Sequence, residues 1–316
     1  MKARASFRPD ASSPESATDP ALSLRYSVVA PMHDEQGNVS ALYEDIKKTM
    51  EQLGESYEII FVNDASRDET LAKMRSIRNS DSHFHFVDLE NNVGENWALL
   101  AGISKAQGRV IITIDGDYQN DPSYIPDLLR ELSNGYRVVS GRRKDRSAGF
   151  WTKRLPSQIA NGMIRVVSGV PVHDCGCGLK VYRREVLEGK FVPAGFMNRF
   201  SPVSLGIKKN EFAEVEILDR PRNSGESHYG LGRVFIVLRD LCVIPFALGD
   251  PTAWRVRFGF LTAMLAVGAL VAGITHRWLF TGLLGFFSFL SLSNFTKLGR
   301  FIEAQREPQF RIKEYR

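Results

Sequence analysis

A chain of 316 residues has room for one large domain with an appendage, because single domains commonly run from about 100 to 250 residues. Its formal charge of +5 gathers between Arg137 and Arg154, between Arg220 and Arg239, and from Arg255 onward, which suits a phosphate-bearing or membrane-surface partner. No DNA- or RNA-reading motif accompanies that charge, so nucleic acid is not the expected partner. Cys175, Cys177 and Cys242 form no C-x-x-C pair, which excludes a disulfide framework and fits a reducing compartment.

Residues 1–24 are rich in Ala, Ser, Pro and charge and lack the apolar core of a secretory signal, so a disordered tail is expected there. From Tyr26 the pattern turns to strand and helix in alternation. The apolar run Tyr26 to Pro31 is followed by a polar loop, His33 to Asn38. An amphipathic stretch, Val39 to Leu53, then carries Leu42, Ile46 and Leu53 at helical spacing. A second unit comprises strand Tyr57 to Val62, loop Asn63 to Asp68 and helix Glu69 to Asn79, with Asp68 as N-cap. His83 to Leu89 reads as strand, Glu95 to Ala106 as helix and Arg109 to Ile114 as a buried strand. After Pro122 come a helix near Ile125 to Leu132, a strand Arg137 to Ser140, a basic loop, a helix from Lys153 to Ser168, and a closing strand Glu214 to Asp219. Such alternation predicts an α/β fold with a mostly parallel sheet, whose ligands bind beyond the carboxyl ends of the strands. That rule gathers His33-Asp34-Glu35, Asn63-Asp64 and Asp115-Gly116-Asp117 on one rim.

The mean hydropathy is slightly negative, but the average hides a segregation of apolar residues into the last quarter of the chain. Leu231 to Phe246 has a broad apolar face and reads as a helix lying in the headgroup region, with a core helix as the alternative. Phe258 to Thr275 and Trp278 to Thr296 carry no charge, and each is near the ~20 residues that span a bilayer. Only His276 and Arg277 separate them, so a two-helix hairpin is expected. Arg255 and Arg257 before it and Lys297, Arg300, Arg306, Arg311, Lys313 and Arg316 after it put both ends, and the catalytic domain, on the cytoplasmic side of an inner membrane. Gly268, Ala269 and Gly273 are small enough to pack against another helix, including one from a second copy in a homo-oligomer.

A carboxylate pair at the end of a buried parallel strand offers hard oxygen ligands for Mg²⁺ or Mn²⁺ bridging a diphosphate. Gln119 can add an amide oxygen, and Gly116 lets the backbone approach closely. Breaking the anomeric bond of a nucleotide sugar builds charge on the departing diphosphate, which calls for cations on that side. A sugar hydroxyl as acceptor needs a general base, whereas a phosphate monoester with its second pKa near ~6 needs cations more than a base. Arg142 and Arg143, Lys153 and Arg154 near Ser157, and Arg222 in Arg-x-x-Gly-x-Ser are such cations. Asp174, opening a Gly-rich turn after His173, is a general base, an acceptor-positioning group or a turn former. Cys175-Gly-Cys177 lacks further ligands at zinc spacing and reads as buried small residues.

These stretches resemble the polyprenyl-phosphate glycosyltransferases of the GT-A fold, a group that includes dolichol-phosphate mannosyltransferase and the bacterial undecaprenyl-phosphate transferases for aminoarabinose and glucose. The resemblance runs from about Tyr26 to Arg316. It is carried by Val28 to Glu35, Glu58 to Thr70, Asn92-x-Gly94, Asp115-Gly-Asp-Tyr-Gln-Asn-Asp-Pro122, His173 to Val186, and Arg222-Asn-Ser-Gly-Glu-Ser227. It implies that Pro31, His33, Glu35 and Asp64 line the nucleoside pocket, with Asn92, Gly94 and Gly116 among the donor-binding positions. It also implies that Asp115 faces the donor, that Asp117 and Gln119 hold the metal, and that Arg142, Lys153, Arg154, Ser157 and Arg222 meet the lipid phosphate. His33-Asp34, Asn63, Lys153 and His228 depart from the usual family residues, which bears on donor identity, UDP- or GDP-linked, more than on reaction type.

The expected organisation is a tail at 1–24, a GT-A (Rossmann-like) catalytic domain at 25–228, a juxtamembrane amphipathic region at 229–254, two transmembrane helices at 255–296 and a basic cytoplasmic tail at 297–316. The expected activity is metal-dependent, inverting sugar transfer to a polyprenyl phosphate. Two rivals are transfer to a saccharide or lipid hydroxyl and a catalytically silent nucleotide-sugar-binding anchor. Processive hydroxyl-acceptor synthases carry Gln-x-x-Arg-Trp, whereas Arg277-Trp278 here is preceded three residues earlier by Ile274.

Overall fold

The computed structural model describes residues 25–144, 162, 165, 169–187, 205–220, 243, 246–247, 249–306 and 309–316. The tail at 1–24, the helix expected from Lys153 and most of 229–254 lie outside the described residues. Strands β1 (Tyr26–Met32), β2 (Tyr57–Asn63), β3 (Phe84–Leu89), β4 (Val110–Thr113), β5 (Val138–Arg143), β6 (Lys180–Arg183), β7 (Phe212–Ile217) and β8 (Ile312–Tyr315) form one sheet in the order β7-β5-β6-β4-β1-β2-β3-β8. β6 and β8 run against the rest, and the adjacent strands β4, β1, β2 and β3 are parallel. Every residue of β1 and β2 is buried, as apolar runs covered on both faces require.

One face is covered by α1 (Val39–Leu53), α2 (Thr70–Ser80) and α4 (Ile125–Ser133), whose apolar stripes pack on Val28, Ala30, Ile59, Phe61 and Ile112. α1 ends at Gly54, which adopts φ +66° and donates its N–H to Glu51 O, a backbone turn that glycine makes without strain. Helix α2 starts one residue later than its sequence suggests, yet the Asp68 carboxylate accepts the Thr70 N–H at 2.9 Å and so caps its first turn.

The other face carries α3 (Glu95–Lys105), packed on Val29, Ile60, Val62 and Val87. After the short α5 (Arg184–Leu187), the last two helices, α6 (Pro251–Ile274) and α7 (Trp278–Arg306), form an antiparallel hairpin. Both are long and apolar enough to cross a membrane, and only 6% of each apolar stretch is buried, which separates them from core helices of a soluble domain. Within the hairpin Thr262 Oγ1 donates to Ser291 Oγ at 2.9 Å and Ser288 Oγ donates to Thr262 O at 3.2 Å. Gly268 and Gly273, expected to be small enough to pack against another helix, face Leu284 and Thr281 of the chain's own α7.

Residues 297–316 are not a tail. Helix α7 continues through Arg306, and Leu298, Phe301 and Ala304 join the same apolar cluster as Trp97, Ala98 and Val87. β8 then pairs with the edge of β3, with Val87 opposite Tyr315 and Asp88 opposite Glu314. The charges of this segment masked both features: Lys313 and Glu314 interrupt a strand only four residues long.

Candidate active site

The strand order reverses between β1 and β4, because β1, β2 and β3 run outward to one side and the chain then returns to place β4 on the other side of β1. Ligands of open α/β sheets bind at such a switch point. The loops after β1 and β4 meet there. A Cβ on Gly116 would lie 2.4 Å from Pro31 O, so only glycine allows this approach.

The loops after β1 and β2 are laced together. His33 Nδ1 lies 2.7 Å from Asp64 O, Ser66 Oγ accepts the Asp34 N–H at 3.0 Å, Asp34 Oδ1 accepts the Arg67 N–H at 2.7 Å, and Thr70 Oγ1 accepts the Glu35 N–H at 2.9 Å. Asp64 itself is buried, and its two carboxylate oxygens accept the N–H groups of Val93 and Gly94 at 2.7 and 2.8 Å. Its role is therefore to hold the loop that carries Asn92 and Gly94, rather than to present a bare carboxylate. His33 and Glu35 remain on the rim; the Glu35 carboxylate accepts from Asn38 Nδ2 at 2.6 Å.

Asp115 and Asp117 follow β4. Burial first, then the neighbouring carboxylates of Glu95 and Asp117, push the Asp115 carboxyl well above the usual range, against the opposing pull of Lys180 and Arg143. The space for this carboxylate is made by Gly178, where a Cβ would lie 1.9 Å from Asp115 Oδ1. Gly178 is in turn fixed by Thr113 Oγ1, which donates to its carbonyl at 2.8 Å, and Lys180 is buried below, donating to Cys177 O.

The rest of the loop is clamped by Arg220. Its Nη1 donates to Asp45 Oδ2 at 2.7 Å, its Nη2 pairs with Asp121 at 3.0 Å, and its guanidinium lies 4.4 Å from the Tyr118 ring centroid. Tyr118 sits at φ +62°, a costly conformation for an aromatic residue, and its hydroxyl donates to the same Asp45 oxygen at 2.7 Å. The Arg220 N–H also donates to Gln119 O at 2.8 Å, and Gln119 N donates to Asp117 Oδ1 at 3.2 Å. The Gln119 side-chain amide makes no hydrogen bond among the described residues.

β5 runs three residues beyond Ser140, so Arg142 and Arg143 are strand residues on opposite faces rather than parts of a loop. Arg143 is spent internally: its Nε and Nη2 bind Asp174 at 2.7 and 3.0 Å, and its Nη1 lies 3.7 Å from Asp219. Asp174 is buried in this bidentate pair and also accepts the Gly176 N–H at 3.2 Å, which suits a positioning group and the turn it opens, not a proton acceptor. Arg142 shares a face with Val138, on the side of α3 and α7, and has no ion pair among the described residues. Lys153, Arg154, Ser157 and Arg222 lie outside the described residues.

Cys175 and Cys177 are buried, and burial pushes the Cys177 thiol up to about 12, as expected of an inert packing group. Among the described residues no three His, Cys, Asp or Glu side chains converge to hold a metal by themselves. The donor set nevertheless fits a hard divalent ion completed by ligand oxygens. Asp117 adds to the cost of ionising Asp115, and a cation between the pair and a diphosphate would relieve it. Sequence reasoning missed Glu95, Gly178, Lys180, Asp219 and Arg220; of these, only Gly178 and Lys180 stood inside a recognised motif.

A switch-point crevice lined by an acidic loop of this kind belongs to a GT-A catalytic domain. Glucosyl-3-phosphoglycerate synthase from Mycobacterium tuberculosis with bound phosphoglyceric acid shares the fold, with a TM-score of 0.50 and 19% identity over 70% of this chain and 80% of that one. The same enzyme with Mn²⁺, uridine-diphosphate-glucose and phosphoglyceric acid aligns equally well, with a TM-score of 0.50 and 18% identity over 70% and 79%. The chain belongs to glycosyl transferase family 2, whose model matches residues 27–190. It is 34% identical over 254 residues to the dodecaprenyl-phosphate galacturonate synthase of Rhizobium johnstonii, covering 79% of this chain and 74% of that protein. To the undecaprenyl-phosphate 4-deoxy-4-formamido-L-arabinose transferase of Proteus mirabilis it is 31% identical over 218 residues, 69% of this chain and 66% of that protein.

Proposed function

We propose that the protein transfers a sugar, with inversion, from a nucleotide sugar to a polyprenyl phosphate at the membrane surface. The observation that carries this is one of packing. The last turns of α7, a helix whose earlier turns face outward with apolar side chains, share a core cluster with α3, and α3 opens with Glu95 beside Asp115. An acceptor drawn from lipid thus meets the catalytic rim without leaving the protein's membrane side. The names of the two transferase relatives, both acting with polyprenyl phosphates, support the same acceptor class.

In this reading an oxygen of the lipid phosphate attacks the anomeric carbon. The bond from that carbon to the diphosphate breaks, and the nucleoside diphosphate leaves with the electron pair. Arg142, on the α3 and α7 side of the sheet, holds the acceptor phosphate together with Lys153, Arg154, Ser157 and Arg222. The rim laced by His33, Glu35 and the Asp64-held loop receives the nucleoside. Asp115, Asp117 and Gln119 would hold Mg²⁺ or Mn²⁺, which supplies charge neutralisation on the departing diphosphate. Asp174 keeps Arg143 and the turn at Gly176 in place, and a dianionic acceptor requires no base from it. The hairpin α6 and α7 crosses the inner membrane, and the basic residues flanking it keep the catalytic domain in the cytoplasm.

The test is to incubate purified protein with undecaprenyl phosphate, Mg²⁺ or Mn²⁺ and a panel of UDP- and GDP-linked sugars, and to look by mass spectrometry for a sugar-phosphate lipid. Asp117→Ala should abolish the product while leaving the fold intact. Full activity in that variant would sink the metal assignment. Transfer to a lipid or saccharide hydroxyl, with none to the phosphate, would replace the acceptor.

A further inference from the structure

Arg255, in the second turn of α6, is the described cation that folding alone explains least. An arginine carries five N–H donors, yet this side chain meets no acceptor among the described residues, and its Nε is fully buried with no hydrogen-bond partner. The guanidinium is nevertheless seated. Its Cζ lies 4.8 Å from the Phe295 ring centroid, and it rests against α7 at Gly299, where a Cβ would stand 3.1 Å from Nε, Cζ and Nη2. A stacked arginine held against a glycine is a pre-ordered fork suited to an anion.

The level of this seat identifies the anion. On α7, Leu298 and Phe301 already belong to the domain core, while Phe286, Phe289 and Leu292 lie exposed on the apolar side. Arg255 therefore stands where the hairpin passes from apolar surroundings into the domain. Trp254 and Arg257 stand at the same level, with the Arg257 guanidinium 4.6 Å from the Trp254 ring centroid. In a bilayer that level is occupied by phosphate headgroups, and an arginine fork matches phosphate oxygens through paired donors. We infer that Arg255 is the seat of an anionic phospholipid headgroup, bound at the seam of α6 and α7. The inference rests on the membrane reading given above.

The experiment uses the full chain in vesicles of phosphatidylcholine with or without phosphatidylglycerol. Flotation reports membrane insertion, and native mass spectrometry after detergent release reports retained phospholipid. Wild type should float and retain phosphatidylglycerol. Arg255→Gln should float equally and hold it about tenfold less well, the worth of one charge-assisted hydrogen bond. Arg255→Lys, which keeps the charge but loses the stacked fork, should rescue only in part. Equal retention by wild type and Arg255→Gln overturns the site. Displacement of phosphatidylglycerol by undecaprenyl phosphate, with weaker binding of the latter to Arg255→Gln, assigns the seat to the acceptor and overturns the phospholipid. Failure of the wild type to float overturns the membrane reading itself.

Discussion

Replacing Gly178 with alanine puts a methyl group where the Asp115 carboxylate now lies. The new Cβ would stand 1.9 Å from Oδ1, whereas ordinary contact begins at 3.4 Å, so the carboxylate must withdraw by about 1.5 Å, the difference between the two. The backbone cannot easily yield instead, because Thr113 donates to Gly178 O and Lys180 to Cys177 O from buried positions. A misplacement of ~1 Å at a reacting centre can cost ~10²-fold in rate, so Gly178→Ala should lower kcat by at least about that factor. Initial rates of sugar transfer to undecaprenyl phosphate measure the loss, and a thermal melt checks that the fold survives. Gly282→Ala, where nothing lies within 4 Å of the added Cβ, is the control. A Gly178→Ala enzyme with the wild-type rate would show that the placement of Asp115 does not govern transfer.

Asp64→Ala leaves the Val93 and Gly94 N–H groups without their acceptor, so stability should fall by about 1–3 kcal/mol and the donor KM should rise, both read from one preparation by denaturation and kinetics. Arg143→Met strands a buried Asp174 and should cost about 3–5 kcal/mol, and adding Asp174→Leu should recover part of it in the same denaturation assay. Arg220→Met should cost only about 1 kcal/mol of stability, since its ion pairs are partly exposed. Mn²⁺ affinity, measured by electron paramagnetic resonance, should nevertheless drop about tenfold or more, because the Asp117-Gln119 loop loses its clamp. The Tyr43-Lys47-Asp81 cluster sets a pH dependence. Burial opposes ionisation of Asp81, but hydrogen bonds from Tyr43, the His83 N–H and Lys47 outweigh it and hold the carboxyl well below the usual range. Its contribution is thus present above the unfolded value of about 4 and is lost as pH falls below it. Burial and Asp81 push the Tyr43 hydroxyl up to about 12, so its contribution is full below about pH 10 and is lost as pH rises through that folded value. Denaturation midpoints of wild type and Asp81→Asn should converge on acidification; a constant difference between about pH 6 and pH 3 would contradict the assignment.

The core of the fold was legible because β1, β2 and β4 contain the apolar runs Val28 to Met32, Ile59 to Val62 and Val110 to Ile112, and α1 carries a clean apolar stripe. Lines of sequence with other duties were harder. Arg142 and Arg143 extend β5 although neither is apolar, because pairing with β7 continues to Ile217 and Asp174 neutralises one of them. Asp64 read as a pocket residue, but its two partners lie 29 and 30 positions away and nothing local announces them. The Arg220 clamp joins positions separated by 175 residues, and only folding brings them together. Gly178 illustrates a different gap: a glycine inside a motif does not disclose which neighbour occupies the space it leaves.

β8 lies at the sheet edge but is synthesised after the apolar hairpin. While the ribosome is still making α6 and α7, the β3 edge presents unpaired backbone groups to solvent. With the hairpin in a bilayer and both its ends on one side, as proposed above, that edge is covered only once the hairpin has gone in and the chain has come back out. On that reading membrane insertion and completion of the sheet are consecutive events in biogenesis. A molecule that misses the bilayer carries two aggregation surfaces, the bare strand and the greasy helices, and quality control can recognise either one.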